Sequence, residues 1–203
     1  MADVKVAING FGRIGRLAFR QMFGAKGYDV VAINDLTKPS MLAQLLKYDT
    51  AQGGYCGKIG ENLHTVTADD EKGTITVDGK TLTIYAEKDA KDLPWGKIGV
   101  DVVLECTGFY CSKDKSQAHI DAGAKKVVIS APAGNDLKTI VYSVNEKTLT
   151  ADDTIISAAS FIAVLAFVSI FTVFSVFAVV SDLSFFSFVP LLNSRTGLPG
   201  RAC

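Results

Sequence analysis

Three glycines, in the order Gly10-Phe11-Gly12-Arg13-Ile14-Gly15, stand at the seam between two unlike segments. Before them, Val4-Lys5-Val6-Ala7-Ile8 is short, β-branched and closed by Asn9-Gly10, the pattern of a buried parallel strand ending in a turn. After them, Leu17, Ala18, Met22 and Phe23 recur at three- and four-residue steps from Ile14, with Arg13, Arg16 and Arg20 on the other side, which predicts a helix ended by Gly24 to Gly27. A strand that enters a helix through this spacing leaves few folds open. Gly10 permits the tight turn, Gly12 lets backbone approach a bound pyrophosphate, and Gly15 lets helix and strand pack closely. The unpaired N–H groups and dipole of the helix start favour an anion at that point.

A second strand, Asp29-Val30-Val31-Ala32-Ile33-Asn34-Asp35, completes a right-handed βαβ unit over residues 4–35. Asp35 lies twenty residues beyond Gly15, where this fingerprint expects a carboxylate for the adenosine ribose hydroxyls. Such a carboxylate would repel a 2′-phosphate, and the following Leu36 offers no cation to receive one, so NAD is expected over NADP. Further along, Thr74 to Val77 and Thr81 to Tyr85 flank Asp78-Gly79-Lys80 and read as a hairpin. The parallel rhythm then resumes, with a strand at Asp101–Glu105, a helix from Lys113 to Ala122 stopped at Gly123, and a strand at Lys126–Ser130. Ile140 to Val144 and Thr154 to Ser157 continue the strand pattern. The expectation is an α/β fold: a mainly parallel sheet with helices on both faces and a small antiparallel insertion. Thr107-Gly108 and Ser130-Ala131-Pro132 would then sit at carboxyl ends of strands, where open α/β sheets bind ligands.

Charge narrows the partners. The 21 basic and 21 acidic side chains balance, without the basic excess that binding to a phosphate backbone needs, so no nucleic-acid partner is expected. Cys56, Cys106, Cys111 and Cys203 form no C-x-x-C pair and His64 and His119 lie far apart, so no metal site is expected. Neither histidine has a sequence partner that argues for catalysis. The chain opens directly on a strand, which argues against a secretory leader and a disulfide framework.

Several segments run in the order found in one family. They are Asn9-Gly10-Phe11-Gly12-Arg13-Ile14-Gly15-Arg16, Ala32-Ile33-Asn34-Asp35, Leu46-Lys47-Tyr48-Asp49-Thr50, Pro94-Trp95-Gly96, Glu105-Cys106-Thr107-Gly108, Gly123-Ala124-Lys125-Lys126-Val127 and Ile129-Ser130-Ala131-Pro132-Ala133. On them, residues 1–160 resemble the NAD-binding domain of phosphorylating glyceraldehyde-3-phosphate dehydrogenase. The resemblance implies a Rossmann-type fold, NAD as cofactor, and a homotetrameric, cytoplasmic, glycolytic enzyme that oxidises and phosphorylates its aldehyde to 1,3-bisphosphoglycerate. Carried over by position, it implies cofactor contacts at Gly10, Gly12, Arg13, Ile14 and Gly15, at Asp35, at Lys88, at Thr107 on the adenine side and at Ser130 near the nicotinamide ribose. Lys88 stands where the family often has Arg, keeping the charge without the planar fork. Cys106 stands where Ser is common.

The resemblance stops at the family's catalytic motif, Ala-Ser-Cys-Thr-Thr-Asn-Cys. This chain reads Ser157-Ala158-Ala159-Ser160-Phe161-Ile162-Ala163. Ser160 matches the family residue that touches substrate phosphate. Phe161 holds the nucleophile's position, and a phenyl ring cannot form the covalent intermediate. No catalytic residue is therefore expected in the chain as written, and the family's second domain is not recognisable after Ser160. Residues 161–203 carry only Asp182, Arg195 and Arg201 as charges, and residues 161–180 carry none, so the positive mean hydropathy of +0.26 belongs to this tail. As a helix, twenty residues would span about 30 Å, a bilayer's hydrocarbon thickness. Three readings stand side by side: a family NAD-binding domain truncated or altered at the catalytic motif by a frame change, retained intervening sequence or assembly error that left an apolar tail, helical or disordered; a non-catalytic dinucleotide module tethered to a membrane by 161–180; or a structural or interaction protein in which the glycine loop is a relic.

Overall fold

The computed structural model describes residues 3–55 and 64–158. In chain order the elements are β1 (Val4–Asn9), α1 (Arg13–Met22), β2 (Tyr28–Asn34), α2 (Pro39–Lys47), β3 (Tyr48–Asp49), β4 (Gly53–Gly54), β5 (Val66–Asp69), β6 (Thr74–Val77), β7 (Lys80–Tyr85), α3 (Trp95–Ile98), β8 (Val102–Glu105), α4 (Lys113–Asp121), β9 (Lys126–Ile129) and β10 (Ile155–Ser157). Eight strands form one sheet in the order β10-β9-β8-β1-β2-β7-β6-β5. The strands from β10 to β7 in that order run parallel, and β6 and β5 add an antiparallel meander at one edge. This is the Rossmann-type α/β arrangement that the βαβ reading implied.

Both faces of the sheet are covered, so its strands are apolar on both sides. Val6 and Ile8 of β1 face α1 and α2 in one core with Ala18, Phe19, Met22, Leu42 and Leu46, while Ala7 between them joins a second core with Trp95, Val103, Ala118 and Val127. In β2 the alternation slips. Val6 pairs with Val30 but Ala7 pairs with Ala32, so Val31 is an extra residue and both it and Ala32 turn to the second core.

The Asp-Gly hairpin forms with Asp78 and Gly79 as its two-residue turn, at φ 48° and 83°. Those angles suit the mirror-image turn that matches strand twist. α2 had no strong pattern in the sequence: Pro39 opens it, and Asp70, from the β5–β6 turn, accepts hydrogen bonds from the Ser40 N–H and hydroxyl, both at 2.7 Å. One expectation is corrected. Ile140 to Val144 is no strand; after a single bridge at Thr139 the chain turns through Ser143 at φ 62°, stitched by the Asn145 side chain accepting from the Val141 N–H. β-branched composition there is overridden by that local turn. The catalytic-motif positions Ser160 and Phe161 and the apolar run 161–180 lie outside the described residues, and no helix among the described residues is long and apolar enough to cross a membrane.

Candidate functional site

The order of strands reverses between β8 and β1, because the chain moves outward from β1 through β2 and then returns to lay β8 on β1's other side. Ligands of open α/β sheets bind at the carboxyl ends of strands beside such a switch. The glycine loop lies there. Gly10 has φ 91°, and a Cβ on it would stand 2.8 Å from the Thr107 nitrogen. A Cβ on Gly15 would stand 2.1 Å from the Gly10 carbonyl oxygen. These two glycines are therefore demanded by the protein's own packing. Gly12 is not: its φ of −69° suits any residue, and a Cβ on it meets nothing within 4 Å. The space in front of Gly12 belongs to the cleft.

Gly12 also caps α1 without any side-chain hydrogen bond, and the first helical bond runs from the Arg16 N–H to the Gly12 carbonyl. The N–H groups of Arg13, Ile14 and Gly15 thus have no acceptor within the helix. Asp35, just beyond β2, closes the other side of the loop: its carboxylate accepts from the Phe11 N–H at 2.8 Å and from the Thr37 N–H at 2.9 Å. Gly10, Gly12, Asp35, Lys88 and Thr107 all line one cleft of about 1030 Å³, together with Leu36 and with Phe109, which sequence reasoning had not singled out. Arg13, Ile14, Gly15 and Ser130 are not in that lining. The first three form the opening turn of α1 directly behind Gly12, and Ser130 follows β9, one strand further from the glycine loop, where its N–H bonds the Glu105 carbonyl at 2.9 Å.

Comparison with known proteins decides the family. The model of the glyceraldehyde 3-phosphate dehydrogenase NAD binding domain matches residues 4–113. The chain belongs to the glyceraldehyde-3-phosphate dehydrogenase family. It is 62% identical over 162 residues to the glyceraldehyde-3-phosphate dehydrogenase of Lactobacillus delbrueckii subsp. bulgaricus, covering 77% of this chain and 45% of that relative. Against the enzymes of Clostridium pasteurianum and Streptococcus pyogenes the identities are 56% over 156 residues and 49% over 158, each covering 77% of this chain and 44% of the relative. The chain thus spans less than half the length of the curated relatives it matches. NAD is the cofactor of the domain it carries, and the open space at Gly12 with three unpaired helix-start amides is what a pyrophosphate requires.

Beneath this NAD cleft of the glyceraldehyde-3-phosphate dehydrogenase domain lies a polar floor that sequence reasoning missed. Asn9, Asn34, Glu105 and His119 are among the few buried polar residues, none more than 6% exposed. The Asn34 side-chain amide pairs with the Glu87 backbone, accepting from its N–H and donating to its carbonyl, both at 2.9 Å, and donates to Asn9 Oδ1 at 2.7 Å. Asn9 Nδ2 donates to Glu105 Oε2 at 2.6 Å. The indole N–H of Trp95 donates to His119 Nδ1 at 3.1 Å, which leaves His119 Nε2 to donate to Glu105 Oε2 at 3.0 Å. Glu105 Oε1 accepts from the N–H of Thr107 at 2.7 Å and from its hydroxyl. His119, without an evident partner in the sequence, is held on both ring nitrogens; His64 likewise pairs with Asp78 and stacks on Tyr55. Apart from Thr107, two residues from Glu105, the partners lie 14 to 110 residues apart in the chain, and no local pattern announces them.

Cys106, the residue standing where the family commonly has Ser, is half-shielded between the same strand ends. Burial above all, aided by the neighbouring Glu105 charge and opposed by a hydrogen bond with Ser130, pushes its thiol up to about 12. Cys106 also lines the cleft, and a thiol whose charged form is disfavoured in this way is a poor nucleophile.

Proposed function

We propose that residues 1–160 form the NAD-holding part of a glyceraldehyde-3-phosphate dehydrogenase, that residues 161–203 stand outside the family pattern, and that the chain as written binds the dinucleotide without oxidising the aldehyde. The binding half rests on one observation above the others: the side-chain-free space before Gly12, which the protein's own packing does not need. In this reading the amides of Arg13, Ile14 and Gly15 hold the pyrophosphate, and the free lone pairs of Asp35 accept from the adenosine ribose. Leu36 and Phe109, 64% and 63% exposed at the cleft, supply apolar walls for the base. Lys88 and Thr107 offer a charge and a hydroxyl beside it, and Ser130 attends the nicotinamide ribose. Bound NAD supplies the hydride acceptor; the chain's own residues bind and orient it.

The catalytic half of the proposal rests on Phe161. The family's nucleophile must lose a proton and bond to the aldehyde carbon, and a phenyl ring does neither. Ser160 retains one hydroxyl for substrate phosphate. A frame change at the motif accounts for the abrupt turn from a family sequence to an uncharged one, and a shifted frame near codon 160 that encodes Cys-Thr-Thr-Asn-Cys would support it. The family likeness extends the proposal to a cytoplasmic setting and to homotetrameric assembly.

Calorimetric titration of the 203-residue protein tests the binding half: NAD binds, and NADP binds more weakly because Asp35 repels its 2′-phosphate. Absence of any NAD binding overturns it. The catalytic half predicts no phosphate-dependent NADH formation from the aldehyde, and a measurable rate overturns that.

A further inference from the structure

All three arms of the buried floor donate inward. One arm starts at the Glu87 backbone, whose N–H and carbonyl together fix which end of the Asn34 amide is oxygen and which is nitrogen. Asn34 must then donate to Asn9, and Asn9 must donate onward to Glu105. The second arm starts at the Trp95 indole, a donor only, so His119 accepts on Nδ1 and donates from Nε2 to the same carboxylate. The third arm is Thr107, whose backbone N–H and hydroxyl both donate to the other carboxylate oxygen. Asn9 Nδ2 and His119 Nε2 even stand 3.3 Å apart, two donors brought together because they share Glu105 Oε2. A convergent set of donors can end only on a group that accepts on both atoms. Among uncharged isosteres none does: a glutamine would aim an NH₂ at one side of the array, and neither His119 nor Asn9 can turn to receive it without breaking its own outer bond.

The first and third arms run through the cleft itself. Asn9, Asn34, Glu87 and Thr107 all lie in the cleft lining, and Gly10, Asp35 and Lys88 directly follow the first three. These four segments come from the ends of β1, β2, β7 and β8, where single backbone bonds from Gly10 to Asn34, Asp35 to Tyr85 and Cys106 to Asn9 carry the ladder one residue further and the side-chain array takes it on to Glu87 and Thr107. We infer that the Glu105 carboxylate is a positioning residue of the NAD site, which together with those backbone bonds sets, through Asn9 and Asn34, the spacing of the glycine loop, Asp35 and Lys88 about Thr107. The inference rests on the NAD-binding reading for its effect on affinity, and its geometric content is independent of any ligand.

The test is Glu105→Gln in the full 203-residue chain, read by amide hydrogen exchange and NAD titration. The exchange of the Glu87 amide, which touches Asn34 and not Glu105, should accelerate along with that of Thr107, while the amides of Ile8 and Val103 in the strand interiors stay protected. NAD binding should weaken about tenfold, the loss expected when one hydrogen bond to a charged group is broken. Asn34→Ala, at the far end of the arm, leaves the Trp95–His119–Glu105 contacts in place and should accelerate exchange at Thr107, so that either variant suffices if the other does not fold. Loss confined to the mutated residue's own contacts, with the distant amide still protected, overturns the inference. So does wild-type NAD affinity in a folded Glu105→Gln protein. No NAD binding by the unmutated chain would instead overturn the functional reading, and the exchange result would still judge the geometry.

Discussion

At the scale of single residues, the three glycines of one motif have three different reasons to be glycine, and substitution separates them. Gly15→Ala places a methyl group 2.1 Å from the Gly10 oxygen, which backbone must move to relieve, and should cost about 3 kcal/mol of stability. Gly12→Ala meets nothing and keeps an ordinary φ, so its stability should change by no more than about 0.5 kcal/mol. Its NAD affinity should nonetheless fall at least about tenfold, because the methyl group enters the space that backbone-to-pyrophosphate approach requires. Chemical denaturation and calorimetry on the two variants check the dissociation of stability from binding; equal loss of both in Gly12→Ala would refute it. Cys106 gives a second residue-level outcome. With its thiol pushed up to about 12, it should stay unlabelled by a disulfide reagent near pH 8 in the native protein and react once the protein is denatured, as mapped by mass spectrometry.

At the scale of elements, the sequence was legible wherever a local pattern and the fold agreed. β1, α1 and β2 formed as their apolar periods required, and Asp78-Gly79 made the turn its residue types favour. That turn carries a prediction. Asp78 sits at φ 48° while its carboxylate accepts from the Thr65 N–H at 2.8 Å and pairs with His64. Asp78→Ala removes both bonds and keeps the strained angle, so it should cost about 1–2 kcal/mol, and Asp78→Asn should cost less; thermal unfolding of the pair checks the order. α2 was not legible because its start is capped from outside, by Asp70 some thirty residues later. Ile140 to Val144 misled for the converse reason: its residues favour a strand, and the Asn145 side chain bonds the Val141 N–H and the Thr139 carbonyl into a turn instead.

At the scale of the whole molecule, tertiary contacts decide what the sequence could not. Gly10, Gly12 and Asp35 were readable because the fingerprint is local; Asn9, Asn34, Glu105 and His119 look like ordinary turn or surface residues until the sheet brings four strand ends together. Stability against acid is another property of the assembled molecule. In Asp101 and Asp153, burial is the largest single influence and raises the carboxyl, but lysine partners and backbone N–H groups outweigh it and hold both below the ordinary value of 3.8. Asp49 is held down likewise, chiefly by the N–H groups of Gln52 and Ala51 against its burial. A group depressed in the folded state contributes stability above its unfolded pKa and loses it as pH falls through the folded one. The urea midpoint should therefore drop as pH passes below about 3.8, and an unchanged midpoint down to pH 2 would count against these three contacts.

The segment that failed to become a strand still acts on the sheet. The Ile140 N–H bonds the Ser157 carbonyl at 2.8 Å and the Ser157 N–H bonds the Lys138 carbonyl at 3.0 Å, so this stretch lies along the outer side of β10. An outermost strand with free backbone groups is a template for pairing with another chain. Among the described residues β10 is the outermost strand on its side, and Lys138 to Ile140 occupies its backbone at Ser157, which should disfavour edge-to-edge pairing there without extending the sheet.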